Sequence, residues 1–246
     1  MEIMDILKKK IDTVFLPGDT ILPISCLSST EGFLKFGPGL RQEGQDVVAF
    51  KAGILRMKKK PLFIWIDTNQ KRYVAVKGDT VIGIITTRGA DSYKVDIGSS
   101  QPAYLNNLLF EGATKRNKPN LKINDLVFAK LIVANKDMEP EISCIDENNK
   151  SNNLGPLNDG YMFTVSLGLS RKLLQLPMCK VLSLLGKNFP FEIVVGLNGR
   201  IWIHSKGIID TIAIANAIVS SEFMDDNEVT LMVKQLIESI AGFEED

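Results

Sequence analysis

Three cations lie within four positions in the segment 114–119, which reads Thr-Lys-Arg-Asn-Lys-Pro. Lys115, Arg116 and Lys118 could each contact a phosphate of an extended nucleic-acid strand, and such contacts need no particular base sequence. Binding of this kind weakens as salt is added, because each phosphate contact releases bound counterions. The segment therefore predicts a phosphate-binding loop, although its composition alone also fits a solvated loop.

Three further candidates lie in a predicted β-hairpin whose turn contains Gly89. Tyr93 could offer its ring to an unpaired base, because base–aromatic stacking tolerates any base. Arg88 and Lys94 would add positive charge beside that ring. The alternative for Tyr93 is an ordinary strand residue.

The charge distribution along the chain supports a basic face. The net charge of the 246 residues is zero, but residues 51–120 hold 13 Lys and Arg against 5 Asp and Glu. Residues 121–246 hold 11 against 17. This asymmetry predicts one surface that binds an anion and another region with a different role, with ordinary surface variation as the alternative.

No catalytic or metal-binding pattern is recognisable. Cys26, Cys144 and Cys179 form no CxxC pair, so neither a zinc site nor a disulfide framework is predicted. His204, the single histidine, lies in a strand-like alternating run. A two-metal nuclease needs several convergent carboxylates, and no motif in the chain suggests them, although scattered carboxylates could still converge in space. We expect no catalytic residue, no metal and no cofactor.

The first two segments of the chain are rich in strand patterns. Residues 12–76 alternate short apolar runs with Gly- and Pro-containing turns, which predicts an antiparallel β module. Roughly five strands in about 70 residues then suit a small closed barrel of the OB type. The runs that we identify there are residues 80–87, 92–97, 124–133 and 141–145.

The last segment has helical periodicity as well as strands. Residues 148–160 are polar and predict a linker. From residue 161 the predicted order is strand, helical segment, helix, strand, strand, helix, helix, which matches a KH-type unit with an added C-terminal helix. The three longer predicted helices are residues 177–187, capped by Gly186, residues 208–223 and residues 225–240.

The segment Gly196-Leu197-Asn198-Gly199 separates two of these strands. A KH domain clamps nucleotides with a GXXG loop between its first two helices, whereas Asn-Gly between strands is a strong hairpin signal. Its position therefore favours a structural turn, while a role for Arg200, directly after it, stays open.

Four segments recur in an order that resembles the S1/KH cap subunits of the eukaryotic RNA exosome. They are residues 14–19 (Val-Phe-Leu-Pro-Gly-Asp), 36–40 (Phe-Gly-Pro-Gly-Leu), 110–117 (Phe-Glu-Gly-Ala-Thr-Lys-Arg-Asn) and 196–202 (Gly-Leu-Asn-Gly-Arg-Ile-Trp). The barrel segment, which opens with Gly78-Asp79, resembles an S1 domain. The resemblance covers nearly the whole chain.

The resemblance completes the predicted fold class. The chain is expected to be multidomain and mainly β, with an α+β part. An N-terminal β domain would cover residues 1–76, an S1-type OB barrel residues 77–147, and a linker with the KH-like domain residues 148–246.

The resemblance also implies a function. Three cap proteins of this kind sit on a six-subunit ring, guide RNA into its channel and leave catalysis to associated nucleases. The expected partners are ring subunits, other cap subunits and single-stranded RNA, and no membrane. The expected location is the nucleus and nucleolus, and also the cytoplasm. The basic loop would lie near the RNA path, and Gly196, Asn198 and Gly199 would pack the KH-like and S1 domains together.

Two other functions remain as alternatives. A free-standing RNA-binding protein would be a stable monomer with tight affinity for RNA. A metal-dependent ribonuclease would cleave RNA by itself and would lose that activity on loss of one Asp or Glu.

Overall fold

The computed structural model describes residues 7, 9–24, 35–58, 62–114, 116–135, 137–146, 148–175 and 178–243. The chain divides into two compact units, Met1–Gln70 and Lys71–Asp246. Strands predominate, and the described helices are concentrated in the C-terminal part of the second unit. The predicted fold class is therefore confirmed.

The first unit consists of two small sheets around one apolar core. Its described strands are β1 (Val14–Phe15), β2 (Thr20–Pro23), β3 (Lys35–Phe36), β4 (Leu40–Glu43), β5 (Asp46–Ala49), β6 (Gly53–Lys58) and β7 (Phe63–Asp67). One sheet has the order β1-β6-β7-β3 and the other β2-β5-β4. The prediction of an antiparallel module is wrong for one pair, because β3 runs parallel to β7. Three strands separate β3 from β7 in the chain, which is enough for the crossover that a parallel pair needs.

The second unit begins with a closed barrel. Its strands are β8 (Thr80–Arg88), β9 (Ser92–Asp96), β10 (Ala103–Asn106), β11 (Leu126–Val133) and β12 (Glu141–Ser143). They follow the order β12-β10-β9-β8-β11, and β11 also pairs with β12, which closes the ring. β13 (Gly155–Leu157) pairs with the first residues of β11, whose later residues pair with β12.

Alternating side chains fill the barrel, as the period of two in a strand requires. Every second residue of β9 and β10 is buried, whereas the residues between them face outward. Each fully buried Leu or Ile contributes roughly 1.5–3 kcal/mol to stability. The buried side chains include Val81, Ile85, Tyr93, Val95, Leu105, Val127 and Leu131. The sequence patterns did not locate β10, which has only four residues and directly follows Pro102.

The KH-like domain completes the second unit. Its sheet has the order β14-β16-β15, with β14 (Tyr161–Thr164), β15 (Phe191–Val195) and β16 (Arg200–Ser205). The described helices are α1 (Leu167–Leu174), α2 (Lys180–Asn188), α3 (Ile208–Ser220) and α4 (Asp226–Phe243). This chain order of strands and helices confirms the predicted KH-like arrangement. Ile201 and Ile203 of β16 pack in one core with Ile214 and Ile218 of α3.

Local hydrogen bonds determine where these helices begin and how they are held. The Ser166 hydroxyl accepts from the Leu169 amide at 3.0 Å, which caps the start of α1. Lys172 of α1 donates to the Ser221 carbonyl at 3.2 Å, where the C-terminal end of α3 favours a cation. The prediction that Gly186 caps α2 is wrong: the helix continues to Asn188, and the Phe189 amide closes it by donating to Leu185.

None of the described helices has both the length and the apolar character that a bilayer crossing requires.

Candidate nucleic-acid interface

The basic loop is held against the end of the β8–β9 hairpin. The Lys118 ammonium group donates to the Ala90 carbonyl at 3.1 Å and forms an ion pair with Asp91 at 2.7 Å. The Arg88 guanidinium donates to the Asn120 side-chain oxygen at 2.8 Å. These bonds bring two of the predicted cations together. They also show that part of the positive charge of Lys118 is neutralised by Asp91.

Two other predicted cations have exposed side chains and no partner among the described residues. Lys94 lies on β9 opposite Thr87, which is next to Arg88, and Arg116 lies in the basic loop. Within the described ranges, neither side chain has a hydrogen bond or ion pair. Their charges are therefore the most available for phosphate groups. Lys115 lies outside the described residues, so the structure gives no information on it.

The stacking role expected of Tyr93 does not fit this structure. Its ring is 1% exposed and belongs to the barrel core. Its hydroxyl donates to the Pro119 carbonyl at 2.6 Å. Tyr93 therefore anchors the loop that carries Arg116 and Lys118, and offers no ring face to a base.

Tyr104 has the place beside Lys94 on the outer surface that was expected of Tyr93. It lies on β10 directly opposite Lys94, with a partly exposed side chain. Because Lys94 faces outward and cross-strand partners share a face of the sheet, the two side chains stand beside each other on the outer surface. In OB folds, the face formed by the second and third strands binds oligonucleotides, and here those strands are β9 and β10. The alternation Ala-Tyr-Leu-Asn at residues 103–106 was the available sequence signal, and it was missed together with β10.

Residues 197–199 form a three-residue hairpin loop between β15 and β16, closed by Gly196 and Arg200. The Gly196 amide donates to Arg200 at 2.8 Å, and Gly199 has a φ of 78°. The two-residue hairpin turn that Asn-Gly favours needs positive φ at both residues, but here only Gly199 has it. A turn followed by one left-handed residue is a common three-residue hairpin, and it explains the difference. A Cβ on Gly199 would also lie 2.6 Å from the Val165 carbonyl oxygen.

Asn198 inserts from this loop into the barrel. Its amide group donates to the carbonyls of Ile82 at 2.8 Å and Ile97 at 2.9 Å, and its oxygen accepts from the Ile82 amide at 3.3 Å. The Leu197 amide donates to Thr80 at 2.9 Å. A Cβ on Gly196 would lie 2.4 Å from the Asn198 oxygen, so a larger residue there would displace this side chain.

Arg200 continues the same junction. Its guanidinium donates to the Asp96 carboxylate at 2.5 Å and also to the carbonyls of Asp96 and Ile82. Arg200 is 9% exposed, so its guanidinium binds groups of the barrel and is not available at the surface. The question left open by the sequence therefore has a structural answer: Arg200 joins the two domains.

Three family models match successive parts of the chain. They are the exosome complex exonuclease Rrp40 N-terminal domain at residues 34–72, the exosome complex component RRP40 S1 domain at residues 73–155, and the KH domain at residues 160–208. Human exosome complex component RRP40 is 47% identical over 209 residues, which cover 82% of this chain and 76% of the human protein. The chain belongs to the RRP40 family of exosome complex components. The resemblance predicted from four sequence segments is thereby confirmed.

Other RRP40 relatives agree with this assignment. Exosome complex component RRP40 from Bos taurus is 45% identical over 90% of this chain and 82% of its own length. The Schizosaccharomyces pombe protein is 41% identical over 95% of this chain and 98% of its own length. A crystal structure assigned as an exosome complex RNA-binding protein superimposes with a TM-score of 0.52 and 25% identity. That match covers 68% of this chain and 96% of the other.

The matched RRP40 N-terminal domain is named for an exonuclease, which raises the question of catalytic groups in this chain. Burial raises the pKa of the Cys144 thiol to about 12, which keeps it protonated. The His204 ring bonds to the Asp159 carbonyl. No group of three or more His, Cys, Asp or Glu residues with metal-binding geometry occurs in the described part of the chain.

The junction of the RRP40 S1 and KH domains is expected to depend on pH through Asp96. Partial burial alone would raise the pKa of its carboxyl group. Hydrogen bonds from the Gly98 amide and from Arg200, together with the charge of Arg200, outweigh burial and hold this pKa below its usual value. A lowered folded-state pKa stabilises the protein above the unfolded pKa of about 3.9, and the stabilisation is lost as pH falls through the folded value.

We therefore expect the difference in unfolding free energy between the unmodified chain and Asp96→Asn to be constant near neutral pH and to shrink below about pH 4. Urea unfolding of both proteins over a pH series measures it. A difference that grows on acidification would show that Asp96 is not stabilised as its carboxylate.

Proposed function

We propose that this chain is a non-catalytic RNA-binding cap subunit of the RNA exosome. It assembles with ring subunits and other cap subunits, and it helps to guide single-stranded RNA into the ring channel for 3′-to-5′ processing and decay. We place it in the nucleus and nucleolus, and also in the cytoplasm. Family membership supports the assembly. The pairing of outward-facing Lys94 and Tyr104 beside exposed cations is the observation that carries RNA binding.

The surface combines two complementary modes of contact. Arg116, Lys94 and Arg88 offer positive charge to phosphates without reading sequence. Tyr104 offers a ring face to one base, and stacking tolerates any base. Such a surface suits single-stranded RNA of varied sequence, because a duplex keeps its bases stacked within the helix.

The proposed assembly is tested by affinity purification of the tagged chain at low and high salt, followed by mass spectrometry. We expect ring subunits to copurify at both salt concentrations. The free-standing alternative would be supported instead if the chain is recovered alone, is a monomer by light scattering and binds RNA tightly.

The non-catalytic part of the proposal has a separate test. Incubation of the purified chain with labelled single-stranded RNA and Mg²⁺ should leave the RNA at full length. If the RNA is shortened, and if substitution of one Asp or Glu abolishes this shortening, the chain is a nuclease.

Lys94 and Arg116 have no partner in the described part of the chain, and removing both is expected to weaken RNA binding and its salt dependence together. For the double variant Lys94→Ala, Arg116→Ala we expect the slope of log K against log salt to fall in magnitude by about 1.4, from about 0.7 per lost phosphate contact. Fluorescence anisotropy with a labelled oligouridine over a KCl series measures this slope.

The control for this double variant is Lys187→Ala, Lys234→Ala. It removes the same charge from exposed positions on α2 and α4 of the KH-like domain. The control should keep the slope of the unmodified chain. Equal effects of the two double variants would mean that only net charge matters and that the barrel surface is not the site.

A further inference from the structure

The KH-like domain contains an apolar groove that the RNA surface does not use. The groove lies between β14 and α3 and has a volume of about 900 Å³. Tyr161 and Phe163 of β14 form one wall, with their rings stacked at 6.0 Å. Ile208, Ile212 and Val219 of α3 form the other. Both walls belong to elements of a single domain.

Several apolar side chains of this groove are accessible to solvent. Ile208 is 81% exposed, Ile212 54% and Tyr161 53%. Ile208, Ile212 and Val219 recur at the spacing that places residues on one side of a helix, so they form a continuous row. Single exposed apolar residues are ordinary, but a contiguous row beside a groove marks an interaction site.

The β14 wall also offers backbone hydrogen-bonding groups. β14 is an edge strand, because β16 is its partner on one side and none of the described strands pairs with its other side. The Val165 amide donates to Gly199 across the β14–β16 ladder at 2.7 Å. The backbone groups of alternate residues in a strand point to the same side. The backbone groups of Phe163 and Tyr161 therefore also point to β16, and those of Met162 and Thr164 point outward.

We propose that this groove binds an extended segment of a partner protein, which adds to β14 as a fourth strand. Its backbone would pair with Met162 and Thr164. Its apolar side chains, at every second position, would pack against Ile208 and Ile212 of α3. This is the strand-addition mode of peptide recognition, in which backbone bonds give affinity and alternate side chains give specificity.

The chemistry of the groove distinguishes this occupant from others. The charged residues along the groove are Asp159 and Lys206, which have opposite signs, so the groove lacks the positive field that RNA needs. A bound helix would cover the apolar row but leave the outward backbone groups of Met162 and Thr164 unpaired. An extended, apolar, uncharged segment satisfies both features of the groove.

The test begins with random peptides displayed on phage. Peptides are selected on the full chain and counter-selected on Ile212→Glu, which places a charge in the apolar row. We expect the enriched sequences to carry apolar residues at alternate positions. Their affinity should fall by about tenfold or more on Ile208→Glu and Ile212→Glu.

Two comparisons keep a folding defect from imitating this result. Glutamate at position 208 lies in the first turn of α3, where the helix dipole favours an acid, so this variant should keep its melting temperature. Leu231→Glu places the same charge at a 61% exposed position on α4, away from the groove, and should leave peptide affinity unchanged.

Hydrogen exchange identifies the mode of binding. A selected peptide should protect the amides of Met162 and Thr164 from exchange, and N-methylation of its own pairing amides should abolish binding. The proposal is overturned if no peptide distinguishes the chain from Ile212→Glu, or if the enriched peptides have apolar residues at helical spacing. It is also overturned if RNA, or a second copy of the chain, is what protects these two amides.

Discussion

Asn198→Ala is expected to lower the melting temperature of the chain by about 6–12 °C, from a loss of about 3 kcal/mol in a unit of this size. The side chain makes three hydrogen bonds to the barrel backbone, at Ile82 and Ile97. These bonds are buried, so alanine would leave the Ile82 amide and the Ile97 carbonyl without partners and without access to water, while the Ile82 carbonyl would keep its bond from Arg200. An unpaired buried polar group costs about 1–3 kcal/mol.

The measurement is thermal unfolding followed by circular dichroism, with Asn188→Ala as a matched control. Asn188 is exposed at the end of α2, and its side chain donates to Leu184 within the same helix. The control should shift the melting temperature by no more than about 2–4 °C. Equal shifts for the two variants would mean that Asn198 does not hold the S1 and KH-like domains together.

Because Asn198 joins two domains, its loss should also change their cooperativity. In the unmodified chain the barrel and the KH-like domain belong to one compact unit. If the hairpin loop carries that coupling, Asn198→Ala should broaden the transition or divide it in two. A sharp single transition at the original temperature is the contrary result.

Tyr104→Thr is expected to weaken binding of single-stranded RNA by about 5- to 150-fold, because stacking of one base on an aromatic ring contributes about 1–3 kcal/mol. Threonine is chosen because it keeps the β-propensity of β10 while it removes the ring. Tyr104 lies opposite Lys94 on the outer face of the barrel, so the substitution should lower RNA affinity and leave the packing of the barrel core unchanged.

Tyr104→Phe is the matched control, since it keeps the ring and removes the hydroxyl. Anisotropy titrations with oligouridine should give an affinity for the phenylalanine variant near that of the unmodified chain. The salt dependence should be the same for all three proteins, because no cation is changed. Full affinity of Tyr104→Thr, with its melting temperature unchanged, would remove Tyr104 from the RNA surface.

Tyr93 and Tyr104 differ in which face of the barrel they occupy, and the sequence did not reveal this difference. Tyr93 was chosen because it is next to Lys94, but neighbouring residues in a strand point to opposite faces. Lys94 faces the solvent, so Tyr93 had to face the core, where it is 1% exposed. Tyr104 lies ten positions after Lys94 in the chain and becomes its neighbour only through the β9–β10 register.

The helices were predicted in the right order, but their ends were not predicted accurately. Apolar periodicity located α2, α3 and α4, but the predicted ends differ by a few residues. Gly186 was read as a cap because glycine often follows the last turn of a helix. A capping glycine of that kind has a positive φ, whereas Gly186 is not among the glycines with positive φ, and the helix continues past it to Asn188.

By itself, the sequence determined the order and type of most elements, the family, and the loop in which the cations lie. These features depend on local periodicity, turn residues and short motifs, which act over a few neighbouring positions. The tertiary structure alone decided which tyrosine faces outward, and that Arg200 and Asn198 are bound by the barrel and not free for RNA. The partners of Asn198 at Ile82 lie 116 positions away in the chain. A contact over such a separation arises from strand register and domain packing, which no local pattern encodes.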